Sequence, residues 1–340
     1  MIIKNYLIFF TCVLCFVSHA QTVGPSIYPI LQLSPSARVA ALSGHLVSIQ
    51  DSDDVVLAQM NPAIPYSSDH HQVAFNHSFY YAGSSYSNIS TGYYLAKENV
   101  FIHHSLGYLD HGELQGADEF GNKTTTFKSS ELVFTTGATK KLFDRLNIGV
   151  SLKYIFSQIE TYNSSGLGID LGTLYTFKSE RQSLGFAIRN LGTQIKTYNE
   201  TRETFPLDVQ LGLTHRLEHV PFIFTFTAHH LQIWNIRTDG ETTISILGEP
   251  APQPSEFAKA LDNAMRHLSI GTEALLGKSL VLRLSYDHQR HQELKDFAYK
   301  SIAGFSFGFG LKLKRLNFDY ALSSYHLSGS LNTVGIAVKW

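Results

Sequence analysis

The last forty residues, 301-SIAGFSFGFGLKLKRLNFDYALSSYHLSGSLNTVGIAVKW-340, alternate between apolar and small or polar side chains in three consecutive runs. Phe305, Phe307 and Phe309 alternate with serine and glycine, and the same period continues through residues 316–322 and 334–340. A side-chain period of two predicts strands with one apolar face. The opposite face consists of Gly, Ser, Ala, Thr, Lys and Asp, which suits the wet interior of a membrane barrel.

The composition of the 340 residues agrees with a membrane barrel: 16% are charged, 12% are aromatic, and mean hydropathy is −0.05. A helical membrane protein would show apolar runs of about 18 residues or more, and the chain has none after residue 20. The formal net charge is −1 with no basic cluster, which argues against a nucleic-acid partner.

Residues 1–20 have the pattern of a secretory signal peptide: Lys4, an apolar run from 6 to 17, and small residues before Gln21. Both cysteines, Cys12 and Cys15, lie inside this run. We therefore expect an exported mature chain with neither a disulfide nor a thiolate metal site.

Residues 21–70 are rich in small residues and contain two short acidic or polar clusters. We therefore predict that they form a hatch, or plug, that enters the barrel mouth. The candidate plug residues are Arg38, Asp53, Asp54 and Asn61, and hydrogen bonds from the last three are expected to hold the segment. The alternative, favoured for each polar residue taken alone, is that it only caps a turn.

Residues 71–340 are predicted to form an all-β, antiparallel transmembrane barrel of about fourteen strands, an even number as bacterial barrels require. The expected strands are 71–82, 84–96, 99–109, 127–139, 145–157, 166–177, 183–190, 206–215, 221–234, 268–277, 279–288, 301–311, 315–324 and 331–340.

The links between these strands alternate between short charged turns and mostly longer loops. The longer links are 110–126, 157–165, 190–205, 235–267 and 288–300. Outer-membrane barrels have short periplasmic turns and long extracellular loops. This alternation of short and long links therefore predicts long loops at the cell exterior and both mature termini on the periplasmic side.

The loop at 235–267 carries a predicted helix over 255–267, with Ser255 as its N-cap. Phe257, Leu261 and Met265 fall near one face, and Trp234 precedes the loop. Packing of this face on the barrel is the favoured interpretation. The alternative is contact with a partner, for which these four residues are the candidates.

Sixteen histidines invite a metal hypothesis, but adjacent histidines on a strand point to opposite faces and cannot chelate one ion. The sequence also has no hydrolase, zinc-protease, phosphate-binding or dinucleotide motif. We therefore expect a protein that is not an enzyme and has no cofactor or metal. Pairing among themselves is expected for the lumen charges Asp170, Arg189, Asp208, Arg283, Asp287, Lys312 and Asp319.

Residues 36–44 and 61–63 resemble the N-terminal hatch of long-chain fatty acid transporter-like barrels. The chain resembles more closely the PorQ family of the type IX secretion system, within the PorV/PorQ group of such barrels. It departs from the pattern at Ser43, where a second glycine is usual, and at His230, where Asn is expected. The matching segments run in order through nearly the whole mature chain and include 118–122, 152–158, 189–192, 263–268 and 303–310.

This resemblance implies a fourteen-stranded barrel in the outer membrane of a Gram-negative bacterium that acts as a scaffold. Members of that family anchor the surface protein PorZ beside PorU and PorV, in a complex that processes secreted cargo and joins it to anionic lipopolysaccharide. One alternative is a transporter of small hydrophobic molecules, with an apolar pocket lined by residues 39–57. A third is a secreted β-sandwich with carbohydrate-binding loops.

Overall fold

The computed structural model describes residues 26–50, 54–65, 71–237, 255–294, 302–326 and 329–340. The predicted signal peptide and Asp53 lie outside the described residues.

In these residues, fourteen antiparallel strands form one closed barrel, which confirms the predicted fold class. Each strand pairs with its neighbours in sequence, and the last pairs with the first. The strands are β1 Gln72–Phe79, β2 Ser85–Leu95, β3 Val100–Ala117, β4 Lys123–Phe143, β5 Leu146–Ile159, β6 Tyr162–Thr176, β7 Gln182–Lys196, β8 Asp208–Arg216, β9 Phe222–Ala228, β10 Leu268–Leu276, β11 Leu280–Asp287, β12 Phe305–Lys312, β13 Leu316–His326 and β14 Gly329–Lys339.

The closing seam between β1 and β14 is regular: Val73 lies opposite Val338, and Phe75 lies opposite Ile336. A closed sheet leaves no strand edge unpaired, which is the condition for crossing a lipid bilayer with strands. The β-sandwich alternative is therefore wrong.

The predicted alternation places apolar side chains on the outside of the barrel. Leu282 and Leu284 on β11 are 44% and 47% exposed, whereas Arg283 and Ser285 between them are 4% and 3% exposed. An outer apolar band around a polar interior is the pattern of an outer-membrane barrel.

Three α-helices occur in the described residues: α1 Ala37–Ala41, α2 Glu256–Arg266 and α3 His288–Leu294. Short 3-10 turns lie at Pro29–Gln32, Val55–Gln59 and Tyr81–Gly83. Nowhere in the described ranges is a helix both long and apolar enough to span a membrane.

Several predicted loops are shorter than expected, because strands continue past the apolar band. The β3–β4 hairpin occupies most of the expected loop 110–126, and β5 and β6 occupy most of 157–165. Both faces of the β3–β4 extension contact solvent, so the sequence alternation that marks a strand is lost there. In the β5–β6 extension, Ser157 and Ser164 are completely buried. In contrast, β9 is shorter than predicted and ends at Ala228, six residues before Trp234. Just beyond its end, His230 adopts a left-handed backbone conformation (φ 57°).

Candidate functional site

The plug, defined here as residues 26–50 and 54–65, lies inside the barrel and fills much of its lumen. Ser48 Oγ is 2.8 Å from Thr214 Oγ1 on β8, and Tyr28 Oη is 2.6 Å from Ser164 Oγ on β6. Val39, Leu42, Leu46, Leu57 and other apolar residues of the plug pack mainly on one another. The residues expected to line a transporter pocket therefore form a packed core.

Inward-facing glycines allow the plug backbone to lie directly against the barrel wall. A Cβ atom at Gly185 on β7 would lie 1.9 Å from Val47 O, and one at Gly149 on β5 would lie 2.2 Å from Pro62 O. Neither contact can be relieved by rotating a side chain, because the opposing atoms belong to the backbone.

We expect Gly185→Ala to displace the plug and to lower the free energy of unfolding by about 1–3 kcal/mol, the usual effect of forcing atoms into a packed interior. Gly168→Ala on β6 is the matched control, since its Cβ would make only ordinary contacts, the nearest at 3.4 Å. Urea unfolding of both variants in lipid vesicles measures the difference. Equal stability of the two variants would contradict this close approach.

Arg38 joins the plug to the wall through a buried ion network. Its Nε and Nη2 donate to the two carboxylate oxygens of Glu273 on β10 at 3.1 and 3.0 Å, and its Nη1 lies 3.3 Å from Asp54 Oδ2. Glu273 Oε1 also accepts from Arg283 Nε at 2.9 Å, and Arg283 Nη1 pairs with Asp319. Arg38, Glu273 and Arg283 are each at least 93% buried, so their charges depend on these partners.

The other candidate plug residues have two roles. Asp54 caps the 3-10 turn by accepting from Val56 N at 3.2 Å, in addition to its contact with Arg38. Asn61 Nδ2 donates to Val47 O within the plug at 2.7 Å and to Thr173 O on β6 at 3.0 Å. Asn61 therefore connects two parts of the plug to the wall.

Of the lumen charges expected to pair among themselves, Arg283 and Asp319 do so, whereas Asp170 pairs with Lys153, which was not in that set. Lys153 Nζ lies 2.6 Å from Asp170 Oδ2, and Asp170 Oδ1 accepts from Asn190 N at 2.7 Å. Arg283 and Asp319 belong to the network around Glu273. These contacts satisfy charges that would otherwise be costly to bury.

Two cavities lie at opposite ends of the plug. One, of about 210 Å³, is lined by residues including Arg38, Asp54, Lys312 and Asp319 near the short turns. The other, of about 380 Å³, lies near the longer loops. Its lining includes His45, Arg189, Asp208, His230 and Asp287. Both linings are rich in charged and polar side chains, in contrast to the apolar pocket that a hydrophobic ligand requires.

A group of histidines and aspartates lies where the plug meets the ends of β9 and β11. The imidazoles of His45 and His229 stack at 4.0 Å between centroids, and their Nε2 atoms lie 3.6 and 3.8 Å from Asp287 Oδ2. Burial lowers the pKa of His229 to about 3 and holds the pKa of His45 well below its usual value. Both imidazoles are therefore neutral at pH 7.

Sequence reasoning missed this group because it considered only histidines close to one another in the chain. The prediction treated adjacent histidines as strand residues, but His229 and His230 follow the end of β9 and their Nδ1 atoms lie 2.9 Å apart. His45 comes from the plug and Asp287 from another strand. The one signal in the sequence was the high histidine count, which carries no information about which residues meet.

Helix α2 exposes the face that was expected to pack on the barrel. Phe257 and Leu261 are 78% and 53% exposed, whereas Asn263 and Arg266 on the other side are 4% and 1% exposed. Met265 is half-buried. The side-chain amide of Asn263 donates to Trp234 O and accepts from Ile236 N at 3.1 Å. The polar face is thus the docked one, held by hydrogen bonds to the preceding loop.

Trp234 lies beside this helix and is 71% exposed. Its indole stacks against the imidazole of His267, with 5.7 Å between the ring centroids. The imidazole in turn hydrogen-bonds His229 O and Trp234 O at 2.7 and 3.0 Å. Three of the four candidate partner-binding residues are therefore exposed in one region, formed by α2 and the loop beside it: Trp234, Phe257 and Leu261.

No protein-family model and no curated protein sequence matches the chain. Among solved structures it is similar to the Pseudomonas putida toluene transporter TodX, with a TM-score of 0.52 and 13% identity over 89% of this chain and 96% of that one. Two TodX variants described as monoaromatic hydrocarbon channels each give a TM-score of 0.54 at 14% identity. The first covers 89% of this chain and 97% of its own, and the second 92% and 99%. At this identity the likeness establishes a shared barrel fold alone.

Proposed function

We infer that the barrel is a non-enzymatic outer-membrane scaffold that holds a protein partner at its long-loop end. The observation that carries this proposal is the inverted burial of α2, whose polar face is docked while Phe257 and Leu261 face outward. Burying an apolar side chain of this size stabilises a complex by about 1.5–3 kcal/mol, and aromatic anchors dominate binding energies.

The state of the lumen supports a scaffold. The plug is joined to the wall by buried ion pairs, hydrogen bonds and backbone contacts at glycine, and its apolar residues pack on one another. The resemblance to the type IX secretion family suggests that the partner is a PorZ-like surface protein, with PorU and PorV nearby and lipopolysaccharide around the complex.

Transport of small hydrophobic molecules is the second candidate, and the likeness to hydrocarbon channels favours it. One interior region suits an apolar ligand: Tyr28, Ile30 and Leu31 of the plug pack on a cluster that includes Tyr86, Val133 and Phe205 of the barrel and its β7–β8 link. A ligand could bind there only if plug side chains moved away, since they occupy the space in this structure.

Affinity purification of the tagged barrel from detergent-solubilised outer membranes, followed by mass spectrometry, tests the proposal. Recovery of a stoichiometric surface protein supports the scaffold. A barrel recovered alone with bound fatty acid or hydrocarbon, together with faster toluene uptake by cells that express it, would instead establish the transporter.

A further inference from the structure

We propose that His45, His229 and Asp287 form a zinc site that ties the plug to the barrel wall. Their ligand atoms lie within 4.8 Å of one another, and they come from three separate segments: the plug, the end of β9 and the end of β11. Two imidazoles and one carboxylate are the ligand set of many zinc sites that leave a fourth position to water.

His229 supplies the observation that points to a missing ligand. Its side chain is completely buried, and its Nε2 atom has no hydrogen-bond partner within the described structure. A buried polar atom without a partner is costly and uncommon. This nitrogen lies 3.8 Å from Asp287 Oδ2, so an ion between the two atoms would satisfy both of them.

The surrounding contacts fix the ligands as outer-shell partners do in metal sites. Asp287 Oδ1 accepts from Arg290 N at 2.7 Å, which leaves Oδ2 facing the two imidazoles. The other ring nitrogen of His229 lies 2.9 Å from His230 Nδ1, and His230 Nδ1 in turn lies 3.5 Å from Asp208 Oδ1. The second carboxylate therefore adds negative charge behind the site.

The distances require a small local movement. Ligand atoms around tetrahedral zinc are separated by about 3.3 Å, given bond lengths near 2.0–2.1 Å. Here each imidazole Nε2 lies 3.6 or 3.8 Å from Asp287 Oδ2, and all three ligand atoms lie within 4.8 Å of one another. Parallel imidazoles cannot both aim an in-plane lone pair at one ion, so one ring must tilt. His45 can do so, because it borders the 380 Å³ cavity, which can also supply the fourth ligand as water.

Imidazole nitrogen favours zinc over calcium or magnesium, which prefer oxygen ligands. Because His45 belongs to the plug and the other two ligands to the wall, the ion would act as a cross-link between them. Asp287 is followed directly by α3, and His229 N donates to His267 O just beyond α2. The site would therefore stiffen the plug and the bases of both loop helices.

Zinc binding to the full barrel, purified in detergent without a histidine tag and stripped by chelator, tests the proposal. We expect one tight Zn²⁺ per chain by dialysis and elemental analysis, and at least tenfold weaker binding in His45→Gln and in Asp287→Asn. His219→Gln is the matched control, since His219 is an exposed histidine in a short turn. Its affinity should equal that of the unmodified chain.

Limited proteolysis supplies a second readout, in which the unmodified chain with and without zinc is the comparison that does not depend on how well a variant folds. Zinc should slow cleavage within the plug of the unmodified chain and of His219→Gln, and it should have no effect on His45→Gln. Absence of a tight site, or a tight site that survives both ligand substitutions, would overturn the proposal. Neither outcome bears on the scaffold function, which rests on α2.

Discussion

Replacing Glu273 with glutamine is expected to lower the free energy of unfolding by about 3–5 kcal/mol, the typical cost of breaking a buried ion pair from one side. Glu273 is 1% exposed and accepts three hydrogen bonds, two from Arg38 and one from Arg283. The glutamine amide keeps the shape but offers one oxygen, and its NH₂ group faces a guanidinium donor. The buried guanidinium groups of Arg38 and Arg283 then lose the negative charge that lies between them.

The change should also loosen the plug, because Arg38 is a plug residue and Glu273 a wall residue. Urea titration in lipid vesicles measures stability, and trypsin sensitivity of the plug measures its release. Glu218→Gln is the control: Glu218 pairs with Arg181, both side chains are more than 40% exposed, and such pairs contribute about 0–1 kcal/mol. Similar losses in the two variants would show that the buried network does not hold the plug.

The barrel was predictable because its signal is local. Each strand presents alternate residues to lipid and to the lumen. The order Leu282, Arg283, Leu284 is therefore enough to predict which side chain faces the lumen. Helix α2 was predictable for a similar reason, since Ser255 caps it and accepts from Ala258 N at 3.2 Å. Signals of this kind need only a few neighbouring residues.

The contacts of the plug were not predictable, because they join residues far apart in sequence. Arg38 and Glu273 are 235 positions apart, and His45 meets the ends of two different strands. The sequence of a strand shows only that its lumen-facing residues are small or polar. It does not show which plug residue lies opposite, since that depends on barrel width and on the path of the plug.

The exposed face of α2 was misjudged for a physical reason that sequence does not reveal. An amphipathic helix usually buries its apolar face, and periodicity alone gave no cause to reverse that expectation. The structure reverses it because Asn263 finds partners in the loop at Trp234 and Ile236, and Asp262 contacts Arg237 of that loop and His288 of α3. A helix docked through its polar face leaves its apolar face free for another molecule.

Replacing both Phe257 and Leu261 with aspartate is expected to release the surface partner. The affinity of the barrel for that partner should fall at least a hundredfold. Each residue lies on the outer face of α2, four positions apart, so the pair forms one continuous apolar contact. Exchanging two buried apolar side chains for carboxylates removes about 3–6 kcal/mol of burial and adds a cost of desolvation. The measurement is recovery of the partner with the tagged barrel.

The barrel itself should be unaffected, since neither side chain is buried and the docking contacts of Asn263 and Asp262 remain. Phe120→Asp is the matched control, because Phe120 is 81% exposed in the β3–β4 hairpin, away from α2. Retention of the partner by the double variant would exclude this face of α2 as the binding surface. Loss of the partner from Phe120→Asp as well would indicate a broad contact over the whole rim, with α2 as one part of it.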